Sequence, residues 1–323
     1  ATPHKKALLQ VSKISSMKQN IQNKIKSLLS SRGMIESISY TFLSSEIAEL
    51  FGGRGKTLHL DNPISSDLNC MRPSLLCNLI SVVSQNYNRE ETNGAIFEVG
   101  PVFIGQNIDD QIDHISGIRY GKTSYKDWTH SMREFDFFDV KSDVESILNV
   151  FGFVKSNFQI NRDTPKWFHP GKSAAFNFGT NKLAVFGEIH PKILKHFSIK
   201  TNVLGFEIFF ENIPVSKRKN SSKKFLKLNQ FQIVERDFSF IIDKEITSEK
   251  LVKAVLSSDK EYIKDVKIFD IYEGEKISNK EKAIAITVNM QPNNKTFSDN
   301  ELELISEKLI NSVQKNCDGR LRD

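Results

Sequence analysis

At 323 residues, with 39% hydrophobic and 26% charged side chains, the chain has material for two domains with ordinary globular cores. No apolar run approaches the roughly 20 residues of a membrane span and no signal-peptide core opens the chain, so the reading is of a protein without a membrane partner. Three scattered cysteines, Cys70, Cys77 and Cys317, make no disulfide framework and fit a reducing cytoplasm. The chain opens Ala-Thr-Pro-His without a methionine, which reads as processing or, preferably, as a piece of a longer protein.

In chain order, residues up to about 15 show no periodicity and read as a lead-in. Met17 to Ser31 carries Ile21, Ile25, Leu28 and Leu29 on one helical side, with Gly33 as the stop. Residues 35–42 alternate like a strand. Asn62-Pro63 is a turn, and Pro73 fits the first position of a helix whose Leu75, Leu76, Leu79, Ile80, Val83 and Tyr87 repeat at helical spacing. Glu90 to Gly94 breaks that pattern, and Ala95 to Val99 reads as a central strand carrying one carboxylate, Glu98. A strand at 115–120, a helix from about Asp136 to Leu148, a strand pair at 174–178 and 183–188, a turn at His190-Pro191 and a strand at 203–210 follow. Interspersed helices and hairpin-like turns predict an α+β domain with a mixed, mostly antiparallel sheet.

Several suggestive pieces are better read as structure. Gly55-Lys56-Thr57 lacks the earlier glycine of a phosphate loop, because position 50 is Leu50. The seven histidines include no pair at metal-ligand spacing, and Cys70 and Cys77 read as small core residues. His169 and His190, each before a proline, are assigned to hydrogen bonds within the fold.

The charge surplus of +6 is matched by one segment: Lys217, Arg218, Lys219, Lys223, Lys224 and Lys227, with no acid between Glu211 and Glu235. A solvated linker over 215–229 is the preferred reading, and a phosphate-backbone contact the other. Beyond it, 236–242 alternates with Phe238, Phe240 and Ile242 on one face. Thr247 caps a helix, strands follow at 266–272 and 283–290, Ser298 and Glu301 have capping-box spacing before a long helix, and a short strand follows Gly319. Strand-helix-strand-strand-helix-strand predicts a ferredoxin-like domain over 230–323, with one sheet face open. From Glu235 to Asp323 there are 18 acidic and 15 basic residues, net −3, so this domain is no electrostatic trap for RNA.

Three linked motifs, Asn62-Pro63-Ile64-Ser65, Met71-Arg72-Pro73-Ser74-Leu75-Leu76 and Phe97-Glu98-Val99-Gly100-Pro101-Val102-Phe103, resemble the β subunit of bacterial phenylalanyl-tRNA synthetase. The pieces Asp136 to Lys141, Phe168 to Ala174 and Gly187 to Pro191 extend the resemblance. It implies that 1–214 is a copy of the class II synthetase catalytic fold, an antiparallel sheet with helices, without catalysis. Where active relatives carry two arginines in motif 2, this chain has Pro101 and Ile104, and the run 204–210 has no arginine for motif 3. Such cationic forks stabilise phosphoryl and adenylate charge, so no catalytic residue is expected here.

Glu235-Arg236-Asp237, Phe269 to Gly274, Lys295 to Asp299 and Leu321-Arg322 are similar to the anticodon-binding domain that ends the same subunit. The resemblance implies that Asp270 and Tyr272 contact the first anticodon base, with Arg236 and Lys282 as further anticodon-binding residues. The family's usual serine is replaced by Ala283, and its usual proline by Gln232. The implied setting is an α2β2 complex that joins phenylalanine to tRNA-Phe, with ATP and Mg²⁺ on the α subunit and no cofactor on this chain. A stand-alone RNA-binding or scaffold protein and a single-chain synthetase are the alternatives.

Overall fold

Ser16 starts the first helix by accepting from the Gln19 N–H while the Gln19 side chain accepts from the Ser16 N–H, a capping box. The computed structural model describes residues 16–53, 55–124, 126–129, 132–153, 158–214, 229–274 and 277–322. The lead-in and the basic segment expected at 215–229 lie, but for Asn229, outside the described residues. Chain contacts gather into two units, Ala1–Asn220 and Ser221–Asp323.

In the first unit, helix α1 (Met17–Ser31) has its expected bounds and ends at Gly33, whose φ of +79° is the left-handed value that favours glycine. The expected strand over 35–42 is interrupted. Only β1 (Ile35–Glu36) and β2 (Phe42–Leu43) form, because Ser39 between them is drawn toward Glu98 while Phe42 pairs with Met71 of β3 (Cys70–Met71). After the short helix α2 (Ser45–Leu50), α3 (Leu76–Tyr87) starts three residues later than Pro73 suggests. Leu75 is the cap residue and offers no side-chain acceptor, while the Ser74 hydroxyl just before it accepts from the Leu76 N–H at 3.1 Å.

The remaining elements are β4 (Gly94–Phe103), β5 (Gln111–Tyr120), α4 (Phe137–Val150), β6 (Gln159–Asn161), β7 (Phe168–Phe178), β8 (Asn181–Ile189), α5 (Pro191–His196) and β9 (Val203–Phe209). Asp136 caps α4 through two N–H groups. The residues expected to be only a turn, His190-Pro191, instead open α5 with proline at its start. Seven strands form one sheet in the order β1-β4-β5-β9-β8-β7-β6, antiparallel except for β1 with β4. One apolar cluster joins α1 and α4 to one face, and another joins α3 and α5 to the other. The expected mixed, mostly antiparallel sheet is what forms.

The second unit runs β10 (Val234–Asp243), α6 (Ser248–Ser258), β11 (Ile263–Tyr272), β12 (Glu281–Met290), α7 (Asp299–Cys317) and β13 (Arg320–Leu321). Its four strands are ordered β11-β12-β10-β13, all neighbours antiparallel, which is the ferredoxin-like arrangement the element order predicts. Phe240, Ile242, Ile284, Ile286, Val288 and Met290 face Leu251, Val255, Ile305 and Leu309 of the two helices. Thr247 and the Ser298–Glu301 capping box start those helices as read from the sequence. Among the described residues, no helix is long and apolar enough to cross a membrane.

Candidate nucleic-acid interface

Strict alternation along β11 would put Asp270 and Tyr272 in the same row as Val266 and Ile268, which lie opposite Val288 and Ile286 on the helix-covered side. The strand does not keep strict alternation. A bulge between Ile268 and Asp270 inserts Phe269, after which Asp270 pairs with Ala285 and Tyr272 with Ala283. Both side chains therefore stand on the face without helices, and a bulge is the usual device for re-aiming a side chain at a sheet edge.

Small neighbours shape the floor beneath them. Ala283, though on the uncovered face, is only 2% exposed, while Ala285 and Ser239 continue the floor across the next strand. The Arg322 guanidinium reaches over the Tyr272 ring at 5.0 Å from its centroid, a cation–π contact. A Cβ at Gly274 would stand 2.5 Å from the Tyr272 hydroxyl, so glycine there leaves the ring its place. Asp270 is exposed, and its Oδ1 accepts from the Ile271 N–H at 2.9 Å. Nearby, Arg320 forms a two-pronged pair with Glu281 at 2.9 and 3.0 Å, and Thr287 donates to Asp237 at 2.6 Å.

The four residues expected at the anticodon are not brought together. Asp270 and Tyr272 share the open face. Arg236 pairs with Val288 in the helix-side row, its Nη1 3.4 Å from the Ser306 hydroxyl of α7. Lys282 lies opposite Ile242, also in that row, and its Nζ donates to the Lys244 carbonyl at 2.9 Å. Arg322, by contrast, belongs to the open face and was legible only as part of a motif. Its contact with Tyr272 spans the sheet from one edge to the other, and no local spacing announces it.

The sheet of the first unit offers a second polar cluster, on the face that α3 covers. Arg72 is 1% exposed and held on three sides: Nε donates to the Pro101 carbonyl at 2.8 Å, and Nη1 to Glu98 Oε1 at 2.7 Å and Ser39 Oγ at 3.0 Å. Across the sheet, Glu207 Oε1 accepts from Ser74 Oγ at 2.8 Å and lies 3.0 Å from His114 Nδ1. Each charge has its partner within the fold. Pro101 and Ile104 stand where arginines were sought, and β9 places Glu207 rather than a cation in the sheet.

Residues 7–210 match the family described as "Phenylalanyl tRNA synthetase beta chain CLM domain", and residues 229–322 match the "Ferredoxin-fold anticodon binding domain". The phenylalanine–tRNA ligase beta subunit of Paramagnetospirillum magneticum is 38% identical over 295 residues, 91% of this chain and 37% of that protein. That of Rhodopseudomonas palustris is 38% identical over 327 residues, 99% of this chain and 40% of its own length. The chain thus spans about two fifths of the length of these curated relatives. A solved pyrrolysyl tRNA synthetase from Desulfitobacterium hafniense is a looser likeness, 14% identical over 64% of this chain and 68% of its own, with a TM-score of 0.49, too loose to argue from. With a CLM domain followed by an anticodon-binding domain, the chain belongs to the phenylalanyl-tRNA synthetase beta-chain family.

Proposed function

We propose that this chain supports the ATP-dependent attachment of phenylalanine to tRNA-Phe without itself performing the chemistry. Its second unit reads the anticodon, and its first unit packs against a catalytic α subunit in an α2β2 cytoplasmic enzyme, with ATP and Mg²⁺ acting on the α subunit. The observation that carries the reading is the bulged β11, which sets Asp270 and Tyr272 side by side on the open face of an anticodon-binding fold. A flat ring above a floor of alanines suits a splayed base, and RNA sequence is commonly read from unstacked bases in this way. Asp270 can accept from a base edge, and guanine's N1–H and amino group form a fitting pair of donors. Arg322 lies over one face of the ring, so an arriving base stacks on the other face or displaces the guanidinium.

The lack of chemistry in the first unit rests on Arg72. Among the described residues, the arginine at this sheet face, Arg72, is spent on Glu98, Ser39 and the Pro101 carbonyl and is not free to serve as a cationic fork for phosphate. Exposed Ile38, Tyr40 and Ile64 support the packing role, since Ile38 and Tyr40 border a groove of about 960 Å³. The test uses the assembled enzyme. Tyr272→Ala should weaken tRNA use about ten- to a hundredfold, as expected for one lost base stack of about 1–3 kcal/mol. Asp270→Ala should relax discrimination at the first anticodon position, and phenylalanine-dependent ATP–pyrophosphate exchange should be unchanged in both. If both variants charge parent and anticodon-mutant tRNA normally, the open-face assignment is wrong.

A further inference from the structure

The carboxylates of the first unit thin out over one stretch. Between Asp163 and Glu207 there is a single acid, Glu188, against six lysines: Lys166, Lys172, Lys182, Lys192, Lys195 and Lys200. The fold gathers part of this charge at one corner. Phe168 pairs with Ile189, and the Trp167 carbonyl accepts from the His190 N–H at 2.8 Å, which brings Lys166 and His169 beside the start of α5. Lys192 and Lys195, three residues apart on α5, are both exposed, as is Lys166. The one acid is already used, since Lys172 Nζ stands 2.8 Å from Glu188 Oε1. Among the described residues, Lys166, Lys192 and Lys195 have no carboxylate at ion-pair distance.

Two imidazoles complete the corner. The His169 and His190 rings stack with centroids 6.4 Å apart and planes 29° from parallel. Each Nδ1 accepts a backbone N–H, from Gly171 and Lys192 respectively, both at 3.1 Å. With Nδ1 occupied as an acceptor, each neutral ring carries its proton on Nε2 and offers a donor there. That tautomer is unsuited to holding a metal through Nε2 but suits an oxyanion. The corner therefore combines ammonium groups without an ion-pair partner among the described residues with imidazole donors.

We propose that this corner, built on Lys166, Lys192, Lys195, His169 and His190, is a second RNA contact that takes phosphodiester backbone rather than bases. The argument from charge is direct. From Glu235 onward the anticodon-binding unit has 18 acids and 15 bases, so it carries no surplus of the lysine and arginine charge whose neutralisation of phosphate dominates RNA affinity, and that charge is sought elsewhere on the chain. The inference rests on the reading of this chain as an RNA-binding subunit and adds a site outside the anticodon face.

The experiment measures binding of a tRNA-Phe transcript to the assembled enzyme over a range of salt concentrations. The triple variant Lys166→Gln, Lys192→Gln, Lys195→Gln removes three charges at exposed positions, with Tyr272→Ala measured in parallel. Each phosphate contact contributes about 0.7–0.9 to the slope of log affinity against log salt, so the triple variant should lower the slope by about 2 to 3. Discrimination against anticodon-mutant transcripts should stay as in the parent. An unchanged slope overturns the inference, as does loss of α-subunit association with the slope retained, which would make the corner a protein contact. If the triple variant leaves the slope unchanged while Tyr272→Ala weakens binding, only this second contact falls. If Tyr272→Ala also binds normally, the anticodon reading falls with it.

Discussion

Glu98 and Glu207 in the seven-stranded sheet are 4% and 2% exposed, and both have their partners within the fold. Asp270 in the four-stranded sheet is exposed and bonded only to the next residue's N–H among the described contacts. Both units thus place polar groups on a β-sheet, with opposite outcomes. Where a helix covers the sheet, burial obliges each carboxylate to find hydrogen-bond partners within the fold, and groups held in this way do little beyond holding the structure. Where the face is left open over alanines, the groups keep their capacity for a ligand. On the proposed reading, base recognition falls to the open face of the second unit, while this buried network of the first unit holds structure.

The largest test of that contrast is to unbalance the buried side. Arg72→Ala leaves Glu98 charged with its main partner gone, and losing one member of a buried pair costs about 3–5 kcal/mol. Urea unfolding should show that loss in the transition of the first unit. Removing both charges, with Arg72→Met and Glu98→Leu together, should recover most of it, because the greater part of the penalty is the orphaned charge. If the single variant unfolds like the parent, the network is not structural and the contrast between the two sheets fails.

An intermediate effect is expected at Gly274, which sharpens the open side. A methyl group there would stand 2.5 Å from the Tyr272 hydroxyl and 2.7 Å from Cζ, so the ring must shift. Gly274→Ala should reduce RNA affinity by roughly fivefold, about 1 kcal/mol, less than Tyr272→Ala. Stability should barely change, since the ring lies at the surface of its unit. Unaltered RNA binding would show that ring position is irrelevant to recognition.

How much of this was legible in the sequence follows the range of the interactions. Local signals were read closely: α1 has its expected bounds, and Ser298 with Glu301 caps α7 as spacing suggested. Long-range contacts were not. Pro73 looked like a helix start, yet α3 begins at Leu76, and the Ser74 hydroxyl before it accepts from the Leu76 N–H and bonds Glu207 on a distant strand. Residues 35–42 alternate well enough for a strand, but Ser39 is captured by Glu98 and the strand breaks. Asp270 and Tyr272 stand two residues apart and so share a face, though only the bulge at Phe269 decides which one. Arg236 and Lys282 carry the right charge in the right domain and fall in the other row, since charge says nothing about register.

The smallest effect concerns the helix that backs the open sheet. Glu301 closes the capping box of α7 and also meets Lys295 Nζ at 2.8 Å. The Lys295 ammonium first, and then the Ser298 N–H and hydroxyl, hold its carboxyl down from the usual 4.5 to about 2. A carboxyl depressed in the folded state binds its proton less readily there than in the unfolded chain. Its contribution to stability is therefore fully present above pH 4.5 and is lost as pH falls from there toward 2. Thermal melts of Glu301→Gln and the parent should differ above pH 4.5 and converge as pH approaches 2, with RNA binding at neutral pH unaffected. The difference should be small because the group lies in solvent, where salt and water screen the pair. Melting curves that stay a constant distance apart across that pH range would mean that the carboxyl's ionisation contributes nothing to α7, and that the helix behind the open face is held without it.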